Sequence, residues 1–259
     1  WTLTALPLFV WMGEILFRTK LSENLFKGLA PWLQRLPGGL IHVNVVGCAL
    51  FAAISGSSAA TVATVGKMSI PELRKRKYPE KILLGSLAGS GTLGLLIPPS
   101  IILIIYGVTV QESIAKLFIA GIIPGIMIAL IFMGYVIIWS LLNKNKMPLT
   151  EENYSFLNKL SKSKQLIPVI LLILGVIGSI YTGIATATEA ASLGVVGALI
   201  LSYFQKSLNL KTFKESLLGA TKTSCMIAFI LAGATFLSLA MGFTGLPRNL
   251  AIWIQIMES

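Results

Sequence analysis

Stretches without a single charged side chain alternate with short segments rich in lysine and arginine along the sequence. About 20 apolar residues in a helix cross the hydrocarbon core of a bilayer, so most of these stretches have the length of one membrane span. Lipid offers backbone groups no hydrogen-bond partner, which restricts such spans to helices. The pattern therefore predicts an all-α, polytopic membrane protein. The charge-free stretches are 1–13, 36–66, 82–111, 117–143, 165–188, 190–205 and 223–247.

Nineteen of the 21 basic residues lie in four segments, 18–35, 67–81, 144–164 and 206–222. Positively charged segments stay on the cytoplasmic side, and two spans separate the second from the third and the third from the fourth. Only the stretch 36–66 separates the first from the second. Its 31 residues would extend about 46 Å as one helix, which is too long for a single crossing. We therefore predict a re-entrant helical hairpin that leaves all four basic segments cytoplasmic.

The middle of this stretch holds small and polar residues in the order Ile54-Ser55-Gly56-Ser57-Ser58-Ala59-Ala60-Thr61. Glycine permits an unwound turn, and serine oxygens can satisfy freed backbone groups or bind a cation. We interpret the segment as the tip of the hairpin. A serine- and alanine-rich contact between two membrane helices is the alternative.

A second irregular segment follows at 86–100, where Gly89, Gly91 and Gly94 precede Pro98 and Pro99. This sequence predicts a discontinuous helix, although paired prolines can also merely kink a span. Secondary transporters bind ions and anionic substrates with such broken helices near the bilayer midplane. We predict that residues 55–58 and 91–99 approach one another there.

Residues 5–13 are similar to residues 234–242, and the basic segments beside them predict opposite directions through the membrane. Opposite directions are expected of an inverted repeat. The offset between the copies places a second hairpin tip at about position 284, so the chain is expected to be truncated before it. The predicted division is 1–35 (scaffold or arm), 36–110 (transport domain), 111–222 (scaffold and arm helices) and 223–259 (start of the second repeat).

The composition excludes several classes of protein. With 55% hydrophobic and 12% charged residues and a mean hydropathy of +0.82, the chain has too few charged side chains to cover the surface of a soluble globular enzyme. It contains no aspartate, one histidine and two cysteines, too few for a multi-histidine or multi-cysteine metal site. His42 lies about 22 Å from Ser57 along a helix, which argues against a serine protease. The net charge of +11 belongs to the cytoplasmic segments, so no nucleic-acid partner is expected.

Several motifs together resemble a known family. They are Leu3-Thr4-Ala5-Leu6-Pro7-Leu8-Phe9 with Gly13-Glu14, His42-Val43-Asn44 before Ser55-Gly56-Ser57-Ser58-Ala59, Ile97-Pro98-Pro99-Ser100 with Tyr106-Gly107, and Gly183-Ile184-Ala185-Thr186-Ala187-Thr188-Glu189-Ala190-Ala191. Along nearly all of its length, the chain resembles the DctM-like large membrane subunit (M subunit) of tripartite ATP-independent periplasmic (TRAP) transporters. Ala187 departs from the family pattern, which usually has proline there.

The resemblance implies an elevator-type transporter of the bacterial inner membrane, not an enzyme. It would import a small organic acid anion, such as a C4-dicarboxylate or sialic acid, by symport with Na+. The implied partners are a small four-helix membrane subunit (Q-type) and a periplasmic substrate-binding protein (P-type) that delivers the substrate. By the same analogy, the ion and substrate site consists of Ser55, Gly56, Ser57, Ser58, Gly91, Thr92, Pro98 and Pro99. The Na+ ligands would come from Ser55, Ser57, Ser58, Gly91 and Thr92.

Two other transport functions remain open at this level. One is a Na+/carboxylate symporter that needs no binding protein, and the other is a passive channel, because broken helices also line pores. Thr186, Thr188 and Glu189 are secondary site candidates. An acidic residue beside capping hydroxyls is also favourable at the start of a helix without any function. The substrate, the number of sodium ions and the oligomeric state are not specified by the sequence.

Three further polar features have structural interpretations. Glu14 and Arg18 have the spacing of a helical ion pair. For His42, a structural hydrogen bond is favoured over a proton relay. An interfacial amphipathic helix is predicted from Phe26, Leu29, Trp32 and Leu33 with Lys27 and Arg35.

Overall fold

The computed structural model of the chain describes residues 2–19, 28–148, 159, 162–164 and 166–258. In these residues every regular element is helical and none is a strand, which confirms the all-α prediction. Short 3-10 turns lie at Thr2–Thr4, Thr92–Leu95 and Lys144–Lys146. Residues 28–33 are also helical, and the numbered α-helices are α1 (Ala5–Arg18), α2 (Ile41–Ser55), α3 (Ser58–Lys75), α4 (Glu80–Gly91), α5 (Ile101–Thr109), α6 (Ile114–Leu142), α7 (Ile167–Tyr181), α8 (Ala187–Phe204), α9 (Leu210–Thr244) and α10 (Leu246–Glu258).

Among the described helices, α6, α8 and α9 are long and apolar enough to cross a membrane, as predicted for a polytopic protein. Helix α6 exposes many large apolar side chains, including Ile123, Leu130 and Leu142, which suits a surface that faces lipid. Helix α7 has only 15 residues, fewer than the predicted span 165–188. It ends at Tyr181 because Gly183, with a φ of +70°, turns the chain towards α8.

Helices α2 and α3 form the predicted hairpin. They run antiparallel, since a Cβ on Gly47 in α2 would lie 3.6 Å from Val65 in α3. At 1.5 Å per residue, the 15 residues of α2 extend about 22 Å, less than the roughly 30 Å of the hydrocarbon core. A hairpin that starts at the membrane surface therefore turns inside the membrane.

The second limb of the hairpin is longer than the charge pattern suggested. Helix α3 continues past Gly66 to Lys75, so the basic segment 67–81 is partly helical and not a loop throughout. The fully buried Leu73 anchors the last turn of this limb. Beyond it, Arg74 Nε and Nη2 donate to the two carboxylate oxygens of Glu80, at 2.7 and 3.2 Å. These bonds hold the pKa of Glu80 below its usual value.

Described residues of the four basic segments, all within 1–220, contact one another or the adjoining chain. The first segment contacts the third and the fourth, and the second contacts the chain just beyond the first. The contacts are Trp32 Nε1 to Ser163 Oγ at 2.7 Å, Arg18 Nη1 to Glu215 Oε2 at 3.1 Å, and Leu40 N to Tyr78 Oη at 3.1 Å. This arrangement agrees with a stretch 36–66 that enters and leaves on the same side.

Thiol labelling can test whether the four basic segments lie on one side of the membrane. We expect Arg35→Cys, Lys75→Cys, Lys164→Cys and Lys211→Cys, one exposed position in each basic segment, to react with an impermeant maleimide from the same side of the membrane. Glu112→Cys, in the turn between α5 and α6, should react from the other side. All variants are made with Cys48 and Cys225 replaced by alanine. Labelling of Arg35→Cys and Lys75→Cys from opposite sides would show that the hairpin crosses the membrane.

The chain divides into two compact units, Trp1–Ala220 and Thr221–Ser259. In the larger unit, α1 lies between the hairpin and α8. A Cβ on Gly13 would lie 2.9 Å from the Cα of Ser55, and a Cβ on Gly194 would lie 2.5 Å from Met12 Sδ. The core around α1 includes Phe9, whose ring meets that of Phe118 edge-on at 6.1 Å. The smaller unit contains the rest of α9, which carries the repeat residues 234–242, and α10.

Candidate functional site

The tip of the hairpin is two residues long. Gly56 caps α2 with a φ of +59°, and its N–H donates to the carbonyl of Ala52. Ser57 is extended and caps α3, because its hydroxyl accepts from the N–H of Ala60 at 3.4 Å. The order serine, glycine, serine therefore ends one helix and starts the next within two residues.

Three oxygens cluster behind the tip. Thr61 Oγ1 lies 2.9 Å from Ser55 Oγ and donates to the carbonyl of Ser57 at 2.7 Å, and Ser55 Oγ lies 3.3 Å from the same carbonyl. Both hydroxyl side chains are buried. Thr61 was not among the candidate site residues, although it follows Ser57 by four residues and so shares a helix face with it. We call Ser55, Ser57 and Thr61 the oxygen cluster.

The discontinuous helix is present, and its break begins later than the glycines suggested. Helix α4 includes Gly89 and Gly91, and the chain leaves helical conformation only after the turn Thr92–Leu95. Ser100 joins the two halves, since its hydroxyl donates to the carbonyl of Leu95 at 2.6 Å and accepts from the N–H of Leu103 at 3.4 Å. The Pro98–Pro99 bond within the break is cis.

The break lies against the hairpin tip, as the sequence predicted. The N–H of Ile101 donates to the carbonyl of Gly56 at 3.3 Å. A Cβ on Gly94 would lie 2.9 Å from the backbone carbon of Ser57, and a Cβ on Gly56 would collide with the carbonyl oxygen of Pro99. Glycine is thus needed on both sides of this contact, because the two backbones touch.

The predicted site residues differ in where they point. Ser55, Gly56, Gly91, Pro98 and Pro99 are buried, and Ser57 and Ser58 are half-buried at the tip. Thr92 is exposed, and its hydroxyl donates to the carbonyl of Gly89, in the last turn of α4, at 2.7 Å. The structure therefore gives the Thr92 side chain no contact with the oxygen cluster.

The electrostatics of this site come from helix ends. Residues 54–61 and 92–101 contain no ionisable side chain. The C-terminus of α2 and the N-termini of α3 and α5 meet at the tip, so carbonyl groups that favour cations lie beside N–H groups that favour anions. In the part of the chain that the structure describes, no three His, Cys, Asp or Glu residues could share a metal ion. A cation bound here would be held by neutral oxygens.

The secondary candidates form a separate, local arrangement. Glu189 Oε2 accepts from both the N–H and the hydroxyl of Thr186 at 2.8 Å, and the Thr186 hydroxyl accepts from the N–H of Glu189. This is a capping box at the start of α8, and Glu189 is exposed. The carbonyl of Thr188 accepts from Ser192 one turn later. The geometry supports the interpretation as a helix start.

Replacing Glu189 by glutamine distinguishes a role in capping α8 from a role in an ion pathway. Because glutamine can also complete a capping box, we expect Glu189→Gln to retain transport within about twofold of wild type. Thr186→Ala removes the cap and should cost about 1 kcal/mol of stability. Uptake and thermal unfolding of the two variants check this expectation. A loss of uptake in stably inserted Glu189→Gln would instead place this carboxylate on an ion pathway.

The structure confirms two other predictions, the Glu14–Arg18 ion pair and the hydrogen bond of His42. Arg18 Nε bonds Glu14 Oε2 at 2.9 Å, as the spacing indicated, and Arg18 also reaches Glu215, which the sequence did not reveal. His42 Nε2 lies 2.8 Å from the carbonyl of Pro37, which is a structural hydrogen bond. Of the predicted amphipathic helix, residues 28–33 are helical, and Phe26 and Lys27 lie outside the described residues.

Comparison with known proteins shows which family this chain matches. The family model described as "Tripartite ATP-independent periplasmic transporter, DctM component" matches residues 1–259. The chain is 33% identical over 255 residues to the C4-dicarboxylate TRAP transporter large permease protein DctM of Pseudomonas aeruginosa, covering 98% of this chain and 59% of that protein. It is 33% identical over 253 residues to the sialic acid TRAP transporter large permease protein SiaM of Vibrio cholerae, covering 96% and 58%. A third relative is the isethionate TRAP transporter permease protein DctMQ of Oleidesulfovibrio alaskensis, with 34% identity over 251 residues, covering 95% and 39%.

The chain therefore spans less than two thirds of the length of these relatives. The family match covers the hairpin tip, the break and the spans on which the resemblance rested, and it describes a transporter component, not an enzyme. The chain belongs to the DctM family of TRAP transporter large permease proteins.

Proposed function

We propose that this chain is part of a sodium-coupled secondary transporter that imports a small organic acid anion across the bacterial inner membrane by an elevator mechanism. The observation that carries the proposal is the contact between the hairpin tip and the break, made by the Ile101 N–H and the Gly56 carbonyl. Two interrupted helices that meet in this way present both carbonyl and N–H groups to a ligand.

The oxygen cluster suits the cation. Sodium is a hard ion that prefers oxygen ligands, and hydroxyl and carbonyl oxygens of Ser55, Ser57 and Thr61 already lie within 3.3 Å of one another. The N-termini of α3 and α5 suit the anion, because their first N–H groups carry partial positive charge. Cation and anion would thus bind side by side, which is a simple physical basis for coupling.

The relatives support the class of substrate. Their names refer to C4-dicarboxylate, sialic acid and isethionate, which share an acidic group and differ in the rest of the molecule. A site of backbone N–H groups would recognise that acidic group and leave selectivity to other parts of the transporter. We propose the organic acid anion as the substrate class and no single acid.

The family description supports the partners. A tripartite, ATP-independent periplasmic transporter has two further components and uses no ATP. We propose a small membrane subunit (Q-type) and a periplasmic substrate-binding protein (P-type) as these components. The four basic segments would be cytoplasmic, because basic segments are retained on that side.

Uptake in proteoliposomes tests the proposal. The transporter that contains this chain is reconstituted with its small subunit, and entry of radiolabelled dicarboxylates, sialic acid and sulfonates is followed under an inward sodium gradient. The assay is run with and without the cognate binding protein. We expect uptake of one class of acid that requires both the gradient and the binding protein.

Other results would replace the proposal with a defined alternative. Sodium-driven uptake without the binding protein would indicate a simpler Na+/carboxylate symporter. Downhill flux that ignores sodium would indicate a passive channel. A potassium gradient of equal size serves as the control for non-specific effects of the ion gradient.

A further inference from the structure

A buried polar network joins the first limb of the hairpin to the first half of the broken helix. Asn44 in α2 is completely buried, and its Nδ2 donates to the carbonyl of Leu83 at 3.2 Å and to Ser86 Oγ at 3.0 Å, both in α4. One turn further, Ser90 Oγ lies 3.3 Å from the carbonyl of Asn44. The network thus ties one position of α2 to two successive turns of α4.

The network is a poor source of stability. Asn44 Oδ1 is buried, and the described residues offer it no hydrogen-bond partner. A buried acceptor without a partner costs about 1–3 kcal/mol, a cost that an apolar side chain of similar size would avoid. Buried polar contacts between helices are known to fix their register. A directional hydrogen-bonded contact at Asn44 is better suited than a leucine to fix the register of α4 against α2.

The register of α4 decides where the break meets the tip. Ser90 immediately precedes Gly91. Gly94, three residues after Gly91, touches the backbone of Ser57. A Cβ on Gly91 would collide with the Val62 side chain in α3, so a larger residue at this contact would force α3 or Val62 to shift. A slip of one residue along α4 would move the helix by about 1.5 Å and bring larger side chains to both contacts.

We propose that Asn44 is a positioning residue that fixes the break 92–100 against the hairpin tip and thereby sets the affinity for the coupling cation. The proposal rests on the proposed function, since it assumes that the oxygen cluster at the tip binds sodium. Asn44 itself lies eleven residues from Ser55, about 16 Å along α2, and therefore acts through α4 without touching the ion.

The test compares Asn44→Leu and Ser86→Ala with Ser69→Ala. Ser69 is a matched control, because its hydroxyl is also completely buried in the hairpin but finds no hydrogen-bond partner among the described residues. Two quantities are measured on the reconstituted transporter: the sodium concentration for half-maximal uptake, and the hydrogen exchange rate of the backbone N–H groups in 92–101, which are all of these residues except Pro98 and Pro99. Ser86→Ala keeps the bond from Asn44 to Leu83 and serves if Asn44→Leu fails to fold.

We expect Asn44→Leu to raise the half-maximal sodium concentration at least fivefold and to speed exchange at 92–101, with a maximal rate within twofold of wild type. Ser86→Ala should shift both in the same direction by less, and Ser69→Ala should shift neither. If uptake by the wild type depends on sodium but Asn44→Leu and Ser86→Ala keep the wild-type sodium affinity, this inference alone is overturned. An equal change in Ser69→Ala would show a general packing effect and overturn it too. Wild-type uptake that ignores sodium would overturn the proposed function together with the link from Asn44 to cation affinity.

Discussion

Gly56→Ala is expected to lower sodium-driven uptake at least tenfold. Gly56 has a φ of +59°, a left-handed conformation that costs a residue with a Cβ roughly 1–2 kcal/mol. The added Cβ would also collide with the carbonyl oxygen of Pro99 and lie 3.2 Å from the backbone nitrogen of Ile101. Both neighbours are backbone atoms and cannot rotate away, so the tip and the break must separate. Initial uptake rates at saturating sodium measure the effect.

Gly85→Ala is the control for this prediction. Gly85 lies in α4 of the same unit, and a Cβ built on it meets no atom within 4 Å. Alanine is favoured over glycine in a helix by about 1 kcal/mol, so this variant should keep wild-type uptake and gain stability. Equal uptake in Gly56→Ala and Gly85→Ala would contradict the importance of the contact at the tip. Equal membrane insertion of both proteins, measured by quantitative blotting, separates a transport defect from a loss of protein.

The hairpin and the broken helix could be predicted because they depend on local chemistry. A Ser-Gly-Ser-Ser sequence within an apolar stretch, and paired prolines after several glycines, indicate helix ends wherever they occur. The Glu14–Arg18 pair follows from spacing within one helix in the same way. The distribution of basic residues predicts which segments lie on the cytoplasmic side, and the hairpin follows because segments on both sides of 36–66 are basic.

Contacts between helices were harder to predict. Spacing shows which residues share a helix face, but the helix that packs against that face depends on the tertiary fold. For this reason Glu215 was not identified as a partner of Arg18, and Asn44 was not connected with Ser86. Gly91 was expected in the break because glycine is a poor helix former, yet it is helical. Its missing side chain lets α3 approach α4 closely, and this packing outweighs the intrinsic preference.

Thr61→Val is expected to raise the half-maximal sodium concentration roughly tenfold to a hundredfold. Valine has nearly the shape of threonine, so the substitution removes one oxygen from the oxygen cluster and little else. Hydrogen bonds to charged groups are worth about 1.5–3 kcal/mol, and we take a similar loss for a hydroxyl that faces a bound cation. The maximal rate at saturating sodium should change less than the affinity, because the helix ends that face the anion are retained. Uptake as a function of sodium concentration gives both quantities.

Thr64→Val is the matched control, one turn further along α3. Thr64 is as buried as Thr61, but its hydroxyl donates to the carbonyl of Ala60 in its own helix at 2.7 Å and is not part of the oxygen cluster. We expect the sodium affinity of Thr64→Val to stay within twofold of wild type. A similar shift in both variants would assign the effect to the packing of α3 and exclude Thr61 as a ligand. A shift in Thr61→Val alone would place the coupling cation behind the turn at Gly56 and Ser57, where the carbonyl of Ser57 already faces two hydroxyl groups.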